Sequence, residues 1–499
     1  MDWDKPREEC GIIVGHSLHD AYYGAKVLQH RGQEAAGFSA LNSHEIVAAR
    51  YRNHVKEVPL EHLFRFGVDG TIVLGHVRYS TSGTKILKDA HPHVIGGEDS
   101  LFEIIEEDDE ENPRIRRRRY GLLSDNKEGI EGMFREERGD LYVTRGAKFA
   151  AVHNGTIVNH HELTADTDDC DTKTLLRLYS EDGAEEVIRR IPAAYSAALM
   201  NAETGEVAIV RDRYGIRPLW IGEKNGKILA ASEDIAIWEI GGEPLREVNP
   251  GEVIYIKRDG GFDSKQVVPP EQHFCFFEYN YLAHPNSVLG GRKVRNVRYR
   301  LGEELAREFR PDDVDMVTYV PKAPEPCALG YENATKIPFL PVFYKIDEDE
   351  RSFMLGHSHE RSASIERNLA VRPKIDLTGK AVLIIDDSIV RGNVSDDAVR
   401  KARAVGARKV YFASVTPPIG MSGGKHTGCL YGVDMPVTDN FAIRRHDGSV
   451  ERLREAIGAD ALHYLSLDGM LRAIRYPRGS LCTYCITGDR PDRPMRASG

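Results

Sequence analysis

The sequence lacks the features that mark several special classes of protein. No apolar run approaches the length of a membrane-spanning helix, and a formal net charge of -10 offers no basic surface for nucleic acid. The first nine residues, MDWDKPREE, contain no hydrophobic segment and are therefore not a secretory signal. We expect a protein that binds neither membranes nor nucleic acid.

Cysteine is also scarce, with 7 residues spread over a chain of 499. An odd number at wide spacing argues against a disulfide framework and indicates reduced thiols in the cytoplasm. Charged residues (29%) and hydrophobic residues (41%) have the proportions of an ordinary globular protein. Because a chain of 499 residues is longer than a typical domain with a single hydrophobic core, we expect two domains.

The pattern of the chain changes near its middle. From residue 10 to about 265, short strands and turns dominate, as in GIIVG, TIVLGHVRYS, FAAVHNG and GEVIYIKRDGG. From about 290, helix-like segments such as VRNVRYRLGEELAREF alternate with buried strands such as KAVLIID, which predicts a parallel sheet with covering helices. Residues 98–121 carry an acidic block and then a basic one, which predicts a solvated surface insertion or, alternatively, a docking surface.

The string AVLIIDDSIVRGNVSDDAVRKA carries the clearest chemistry. Residues 381–385 form an apolar strand, and Asp386 and Asp387 stand at its carboxyl end, where open α/β sheets bind ligands. A polar turn over 388–395 then leads into a helix predicted from Asp396, and backbone N–H groups at a helix start suit a phosphate. The alternative is a strand that simply ends in two capping aspartates.

This string resembles the signature of the type I phosphoribosyltransferases, which bind 5-phosphoribosyl-1-pyrophosphate through it. The resemblance implies an α/β domain with a parallel sheet, and Mg²⁺ held beside Asp386 and Asp387. Arg367 stands where the family usually has a lysine near the substrate. The residues implied in binding 5-phosphoribosyl-1-pyrophosphate are Asp386, Asp387, Ser388, Arg391, Gly392, Asn393, Ser395 and Arg367.

Cys10 follows the polar leader and precedes an apolar strand. If residues 1–9 are a propeptide, their removal gives Cys10 a free α-amine whose pKa of about 7.7–8.0 suits a general base near neutral pH. Taken alone, Cys10 is more simply interpreted as a buried strand thiol. LQHRGQEAAGF, GHVRYSTSG and HNGTIVN, however, resemble the N-terminal-nucleophile glutaminase domain of glutamine amidotransferases.

That resemblance implies an α+β sandwich with an αββα layer order and a set of roles. Cys10 is the nucleophile, and Asn154 with the N–H of Gly155 forms the oxyanion hole. Arg78 holds the α-carboxylate of glutamine, and Asp171 holds its α-amine.

Together the two halves resemble the amidophosphoribosyltransferase family, from Cys10 to about residue 490. The resemblance implies ammonia transfer from glutamine to 5-phosphoribosyl-1-pyrophosphate, the first step of de novo purine biosynthesis, in a homodimer or homotetramer. The expected organisation is a propeptide (1–9), a glutaminase domain (10–270, with an insertion near 98–140) and a phosphoribosyltransferase domain (271–499). The alternatives are an amidotransferase with a different phosphorylated sugar or nucleotide acceptor, and a non-catalytic regulator that senses glutamine.

Four cysteines stand where cluster-bearing members of this family have their ligands. Cys482 and Cys485 form a C-x-x-C pair, which alone fits zinc, a redox pair or chance. With Cys275 and Cys429 they would supply the four thiolates of a [4Fe–4S] cluster. A structural Zn²⁺ is the second choice, and unliganded thiols are the third.

Two segments depart from the family pattern. VPKAPEPCALGY (320–331) has Lys322 and Ala323 where relatives usually have an aspartate and a serine. KIDEDERSF (345–353) replaces a usually basic and aromatic loop with an acidic one, which is unfavourable beside a pyrophosphate. These changes fit either a lineage variant with a differently built loop or a paralogue whose acceptor domain has changed substrate or lost activity.

Overall fold

The computed structural model describes residues 10–78, 87–108, 116–135, 139–158, 160–163, 170–346, 369–433, 435–437 and 440–491. They form two compact units. The first runs to Phe274 and also includes Tyr431, Gly432 and Val433. The second contains Cys275–Leu430 and the chain from Met435 onward. The division at Phe274 lies close to the boundary expected at residue 270.

The first unit is built from two antiparallel sheets. The strands are β1 (Gly11–Gly15), β2 (Ala35–Leu41), β3 (Ile46–Tyr51), β4 (Ile72–Arg78), β5 (His93–Ile95), β6 (Glu98–Asp108), β7 (Arg116–Ser124), β8 (Leu141–Ala147), β9 (Phe149–Thr156), β10 (Ala194–Asn201), β11 (Glu206–Arg211), β12 (Trp220–Lys224), β13 (Lys227–Ala231), β14 (Glu243–Glu247), β15 (Glu252–Ile256) and β16 (Phe262–Gln266). One sheet has the order β14-β12-β13-β1-β4-β2-β3-β8-β6-β7, and the other β16-β15-β11-β10-β9-β5.

Helices cover the outer faces of both sheets. The helices of this unit are α1 (Leu18–Val27), α2 (Leu60–Arg65), α3 (Lys127–Arg135), α4 (His160–Leu163), α5 (Asp171–Asp182), α6 (Ala184–Arg190) and α7 (Asp234–Glu239), with 3₁₀ turns at Leu28–His30 and Val55–Glu57. In β1, Ile12 and Val14 pack between the sheets, whereas Ile13 packs outward against α1, because successive strand side chains point to opposite faces. Leu175 of α5 and Val187 of α6 cover the other sheet. The αββα sandwich is therefore confirmed.

The charged insertion forms a hairpin at the edge of the ten-stranded sheet. β6 and β7 pair antiparallel, and β6 also pairs with β8. The register sets Glu106 opposite Arg118, and Glu107 opposite Arg117. The acidic block and the basic block therefore lie on two paired strands.

The second unit contains a parallel sheet of four strands in the order β20-β23-β24-β27. The strands of this part of the chain are β17 (Phe274–Cys275), β18 (Val288–Leu289), β19 (Arg292–Lys293), β20 (Met316–Tyr319), β21 (Phe343–Lys345), β22 (Leu369–Val371), β23 (Ala381–Asp386), β24 (Lys409–Ser414), β25 (Met421–Ser422), β26 (Lys425–His426), β27 (Ala461–Tyr464) and β28 (Leu481–Cys482). The first residue of β17, Phe274, is the last residue of the first unit. The prediction of a parallel α/β domain is confirmed.

Helices and a shared core cover this sheet. They are α8 (Val294–Glu308), α9 (Glu325–Thr335), α10 (Asn393–Ala404), α11 (Ala442–Arg445), α12 (Val450–Ala456), α13 (Leu467–Ile474) and α14 (Tyr484–Thr487), with a π-helical turn at Glu278–Leu282 and a 3₁₀ turn at Arg478–Ser480. Val382 and Ile384 of β23 pack with Ala398 and Ala402 of α10 in the main core cluster. Across the described ranges, none of these helices has the length and apolarity needed to cross a membrane.

Candidate active sites

Cys10 and Arg78 come together at one end of the ten-stranded sheet. Cys10 immediately precedes β1, and Arg78 is the last residue of β4. These strands pair antiparallel with Gly11 opposite Val77, so the next residues along the two strands, Cys10 and Arg78, adjoin. Arg78 is buried, and its guanidinium can pair with a carboxylate.

A buried ion pair holds the backbone of Cys10. Arg31 Nε donates to the carbonyl oxygen of Cys10 at 3.1 Å, and Arg31 Nη1 donates to Glu233 Oε1 at 2.7 Å. His30 Nε2 lies 2.8 Å from the same carboxylate oxygen. No role for Arg31 or Glu233 was expected from the sequence. Arg31 lies inside the LQHRGQEAAGF string, but its partner, Glu233, comes from a distant segment.

Asn154 and Gly155 lie on β9 in the other sheet, and a hydrogen bond links that sheet to β4. His76 Nε2 donates to the carbonyl oxygen of His153 at 3.1 Å. Because His76 is two residues before Arg78 and His153 directly precedes Asn154, this bond brings the expected oxyanion residues to the Arg78 end of β4.

The side chain of Asn154 is 1% exposed. Its Oδ1 and Nδ2 atoms are both buried and form no hydrogen bond with any described residue. A buried amide without partners is costly and calls for an explanation. A ligand oxygen that accepts from Nδ2 would supply one.

The N–H of Gly155 points away from the neighbouring strand. Gly155 lies opposite Tyr195, but the backbone N–H of Tyr195 donates to Asp212 Oδ2 at 3.1 Å and its carbonyl accepts from Asp212 N at 3.0 Å. Opposite residues in an antiparallel pair exchange both hydrogen bonds or neither. The N–H of Gly155 therefore faces the other edge of β9, where β5 pairs only with Phe149–Ala151.

Asp171 joins the same site from the first turn of α5. Its Oδ2 accepts from the backbone N–H of Ile157 at 3.0 Å, and its Oδ1 lies 3.9 Å from His153 Nδ1. The structure thus gathers in one unit all the residues expected in the glutaminase site, which are Cys10, Arg78, Asn154, Gly155 and Asp171.

Four buried histidines surround this site, and sequence analysis did not single them out. The ring centroids of His76 and His91 lie 4.2 Å apart, and those of His91 and His93 lie 4.9 Å apart. Burial lowers the pKa of His76 to about 3 and lowers the pKa values of His91, His93 and His153. All four are therefore neutral near pH 7. They lie in β4, β5 and β9 and in the loop before β5.

In the second unit, the carboxyl end of β23 carries the predicted aspartates. Asp386 Oδ1 accepts from the backbone N–H of Asp387 at 2.9 Å, and Ser388 Oγ donates to Asp387 Oδ2 at 2.7 Å. All three residues are buried. Their carboxylates can accept hydrogen bonds from sugar hydroxyls and can hold Mg²⁺, which prefers oxygen ligands.

The helix after this loop begins at Asn393, three residues before the predicted start at Asp396. Gly392 adopts φ +90°, a left-handed conformation that suits glycine and lets the chain turn directly into the helix. Asn393 and Ser395 consequently lie in the first helical turn, where backbone N–H groups are available to a phosphate. Arg391 flanks the loop, and Arg367 lies outside the described residues.

The first departure from the family pattern lies at the same edge of the sheet. Tyr319 of β20 is in register with Ile385, so Lys322 and Ala323 follow β20 on the side where Asp386 ends β23. The Pro321–Lys322 peptide bond is cis. In the second departure, Lys345 ends β21, and residues 347–353 lie outside the described residues.

The four cysteines expected as metal ligands lie together in the second unit. Burial, followed by the negative charges of Cys429, Cys482 and Cys275, raises the pKa of Cys485 well above its usual value. Among the described residues, no three histidine, cysteine, aspartate or glutamate side chains are positioned to hold a single metal ion. The donor set still fits a thiolate-bound cluster, because bound iron would offset the charge of four thiolates of which three, Cys275, Cys482 and Cys485, are buried.

Comparison with protein families and curated sequences gives a consistent result. A family model described as a glutamine amidotransferase domain matches residues 134–239. The amidophosphoribosyltransferase of Methanothermobacter thermautotrophicus is 30% identical over 97% of this chain and 95% of the relative. The chloroplastic amidophosphoribosyltransferase 2 of Arabidopsis thaliana is 31% identical over 99% of this chain and 81% of the relative.

Two solved structures resemble the fold over nearly its whole length. One is the glutamine phosphoribosylpyrophosphate amidotransferase of B. subtilis in complex with ADP and GMP, with 28% identity, a TM-score of 0.75 and 97% of each chain covered. The other is described as the allosteric regulatory enzyme of purine biosynthesis, with 28% identity and a TM-score of 0.77. It covers 97% of this chain and 96% of that one.

Proposed function

The chain belongs to the amidophosphoribosyltransferase family, and we propose that its first unit hydrolyses glutamine and its second uses the ammonia to aminate 5-phosphoribosyl-1-pyrophosphate. The product is 5-phosphoribosylamine, and the reaction is the first step of de novo purine biosynthesis. One observation is the main support for the proposed glutamine hydrolysis in the first unit. The His76–His153 bond brings Arg78 to Asn154, whose buried amide makes no hydrogen bond among the described residues.

Glutamine binds with its α-carboxylate on Arg78 and its α-amine on Asp171. The α-amine of Cys10, freed by removal of residues 1–9, takes the thiol proton as Sγ forms a bond to the amide carbon. The carbonyl oxygen becomes an oxyanion, which accepts hydrogen bonds from Asn154 Nδ2 and the N–H of Gly155.

The tetrahedral intermediate collapses as the C–N bond breaks, and the proton held by the Cys10 amine leaves with the nitrogen as ammonia. A water molecule then hydrolyses the thioester, so that glutamate is released and the thiol is restored. The ammonia must reach the acceptor as a neutral molecule, because ammonium has no lone pair with which to attack.

In the second unit, Asp386 and Asp387 accept hydrogen bonds from the ribose hydroxyls, and the turn from Ser388 to Ser395 binds the 5-phosphate. The nitrogen of ammonia bonds to C1 of the ribose as the bond from C1 to the pyrophosphate oxygen breaks. Mg²⁺ held beside Asp386 and Asp387 would neutralise the charge of the pyrophosphate. The nitrogen loses one proton to solvent, and the products are 5-phosphoribosylamine and pyrophosphate.

We further propose that Cys275, Cys429, Cys482 and Cys485 hold a [4Fe–4S] cluster with a structural role. None of the seven cysteines, all of which are described residues, forms a disulfide, which supports a reducing compartment such as the cytoplasm. A homodimer or homotetramer is the expected assembly, and sedimentation analysis tests it.

Replacing Cys10 with alanine tests the reaction directly. Anaerobically purified protein is incubated with Mg²⁺ and 5-phosphoribosyl-1-pyrophosphate, with either glutamine or ammonium salt, and both glutamate and pyrophosphate are measured. We expect Cys10→Ala to abolish glutamate release and glutamine-dependent pyrophosphate release, because no nucleophile remains. The ammonia-dependent reaction should persist, because it uses residues of the second unit alone.

Cys170→Ala is the matched control, because Cys170 is another thiol of the first unit and has no assigned step. It should still use glutamine. Glutamine turnover that survives in Cys10→Ala contradicts the assignment of the nucleophile. If the wild-type protein releases glutamate but no pyrophosphate, 5-phosphoribosyl-1-pyrophosphate is not the acceptor of the ammonia. Intact mass measurement shows whether residues 1–9 are absent from the active protein.

A further inference from the structure

Three residues from the C-terminal half of the chain are part of the glutaminase unit. Tyr431, Gly432 and Val433, here called the inserted segment, belong to the first unit, whereas the chain up to Leu430 and from Met435 belongs to the second. Tyr431 and Val433 are buried. Such a short and buried excursion of the chain is held by specific contacts, which identify its neighbours.

Arg217 holds the inserted segment. This arginine is fully buried, and both its Nε, at 2.9 Å, and its Nη2 donate to the carbonyl oxygen of Tyr431. The carbonyl oxygen of Arg217 in turn accepts from Arg211 Nε at 2.8 Å and from Ser196 Oγ at 3.4 Å. The inserted segment is thereby tied to β10, the strand next to β9, and to β11, which lies on the other side of β10.

Gly432 lies against Gly155. A Cβ atom added to Gly432 would lie 3.1 Å from Cα and 3.2 Å from the carbonyl carbon of Gly155, and 3.0 Å from Arg217 Nη2. On another side, a Cβ atom added to Gly155 would lie 2.0 Å from the carbonyl oxygen of Ala194. The backbone of Gly155 is therefore confined between β10 and the inserted segment.

We propose that the inserted segment, held by Arg217, is a positioning element that sets the direction of the Gly155 N–H in the oxyanion hole. This inference rests on the proposed function, which assigns that N–H to the oxyanion. Gly155 has no side chain with which to anchor itself, and its N–H has no bond to Tyr195 in the adjacent strand. Its direction is consequently fixed by whatever touches its backbone, and the contact with Gly432 supplies one of those constraints.

A change in the direction of the Gly155 N–H should alter the rate of glutamine hydrolysis and not the affinity for glutamine. An oxyanion donor acts mainly in the transition state, and removal of one typically lowers kcat by about 10²–10³-fold. A displacement on the order of 1 Å can itself lower the rate about 10²-fold. A disturbed inserted segment should therefore lower kcat while the KM for glutamine, set by Arg78 and Asp171, stays unchanged.

The test compares Gly432→Ala with Gly226→Ala. Both replace a glycine of positive φ, +108° and +76° respectively, but a Cβ at Gly226 meets no atom within 4 Å. The control therefore retains the strain of a left-handed alanine without the contact to Gly155. We expect Gly432→Ala to lower kcat for glutamine hydrolysis about tenfold or more, with KM and the ammonia-dependent reaction unchanged. Gly226→Ala should match the wild type.

A second readout is inhibition by the aldehyde analogue of glutamine. Its adduct with Cys10 is tetrahedral and needs the oxyanion hole, whereas glutamate binds without it. Gly432→Ala should weaken inhibition by the aldehyde but not by glutamate. Arg217→Lys keeps the charge but loses the two-nitrogen contact to Tyr431. It should likewise weaken inhibition by the aldehyde but not by glutamate, and it serves as the test if Gly432→Ala does not fold.

Asn154→Ala separates this inference from the proposed function. If Asn154→Ala keeps the wild-type kcat, the proposed oxyanion hole is wrong, and the inference is overturned with it. If Asn154→Ala loses kcat while Gly432→Ala and Arg217→Lys do not, the oxyanion hole stands and the inference alone is overturned. Equal changes in kcat and KM in Gly432→Ala would also overturn it, because they would indicate general disruption.

Discussion

At the residue scale, a chain of hydrogen bonds determines which nitrogen of His91 carries its proton. The backbone N–H of His153 donates to His91 Nδ1 at 3.2 Å, so neutral His91 is protonated on Nε2. That nitrogen lies 3.2 Å from Thr172 Oγ1, which in turn lies 3.0 Å from His153 Nδ1. His91 thus holds the backbone next to Asn154 on one side and the start of α5, with Asp171, on the other.

A residue-scale prediction concerns Asp387. Asp387→Asn should lower kcat/KM for 5-phosphoribosyl-1-pyrophosphate about 10- to 100-fold, because a hydrogen bond to a charged group contributes about 1.5–3 kcal/mol. The loss should be equal with glutamine and with ammonia as the nitrogen source, as measured by pyrophosphate release. Asp396→Asn changes an exposed carboxylate in the first turn of the same helix and serves as the control. A loss limited to the glutamine-dependent reaction would contradict the assignment.

At the scale of elements, β4, β9 and the segment around β5 place four neutral histidines in one buried cluster. Each has a pKa below that of a histidine in the unfolded chain, about 6.5, and that of His76 falls to about 3. As the pH falls below about 6.5, the unfolded chain binds protons at these histidines while the folded unit does not. The free energy of unfolding must therefore decrease with falling pH.

The histidine cluster should make the first unit sensitive to acid. In His91→Asn, the slope of unfolding free energy against pH should be shallower by up to about 1.4 kcal/mol per pH unit between pH 4 and 6. Tryptophan fluorescence during urea unfolding of the protein without residues 1–9 reports on this unit, because Trp220 and Trp238 lie in it and Trp3 is removed with the propeptide. His44→Asn, at an exposed histidine, should keep the wild-type slope. An unchanged slope in His91→Asn would show that His91 titrates normally.

The structure of the β6–β7 hairpin could be predicted only in part from its local sequence. Its two charge blocks predicted a surface insertion or a docking surface. They did not reveal that the acidic and basic blocks are paired strands that extend a sheet, because strand pairing depends on register and on the neighbouring β8.

At the scale of the whole molecule, the four clustered cysteines come from widely separated parts of the second unit. Cys275 lies in β17, which pairs with β28, where Cys482 lies. Cys429 directly precedes Leu430 and the inserted segment. A metal cluster bound here would therefore restrain the start of the second unit, its C-terminal segment and the chain that leads to Gly432.

This gives a prediction on metal content. Anaerobically purified protein should contain iron and inorganic sulfide and absorb near roughly 400 nm. Cys429→Ser should lose the iron and unfold at a lower temperature, because a cross-link between distant segments is gone. Cys327→Ala, at a buried cysteine outside the set of four, should keep its iron. Zinc in place of iron, or a wild-type unfolding temperature in Cys429→Ser, would contradict the assignment.

The sequence by itself determined the two chemistries and predicted most of the groups proposed to carry them. Cys10, Asn154, Asp386 and Asp387 lie in short strings in which neighbouring residues dictate the strand, turn or helix start, so local structure and chemistry can be inferred together. Only the tertiary structure decided which strings meet. The proximity of Arg78 to Asn154, the histidine cluster and the contact of Gly432 with Gly155 depend on sheet order and register, which long-range packing fixes and which leave no local pattern in the chain.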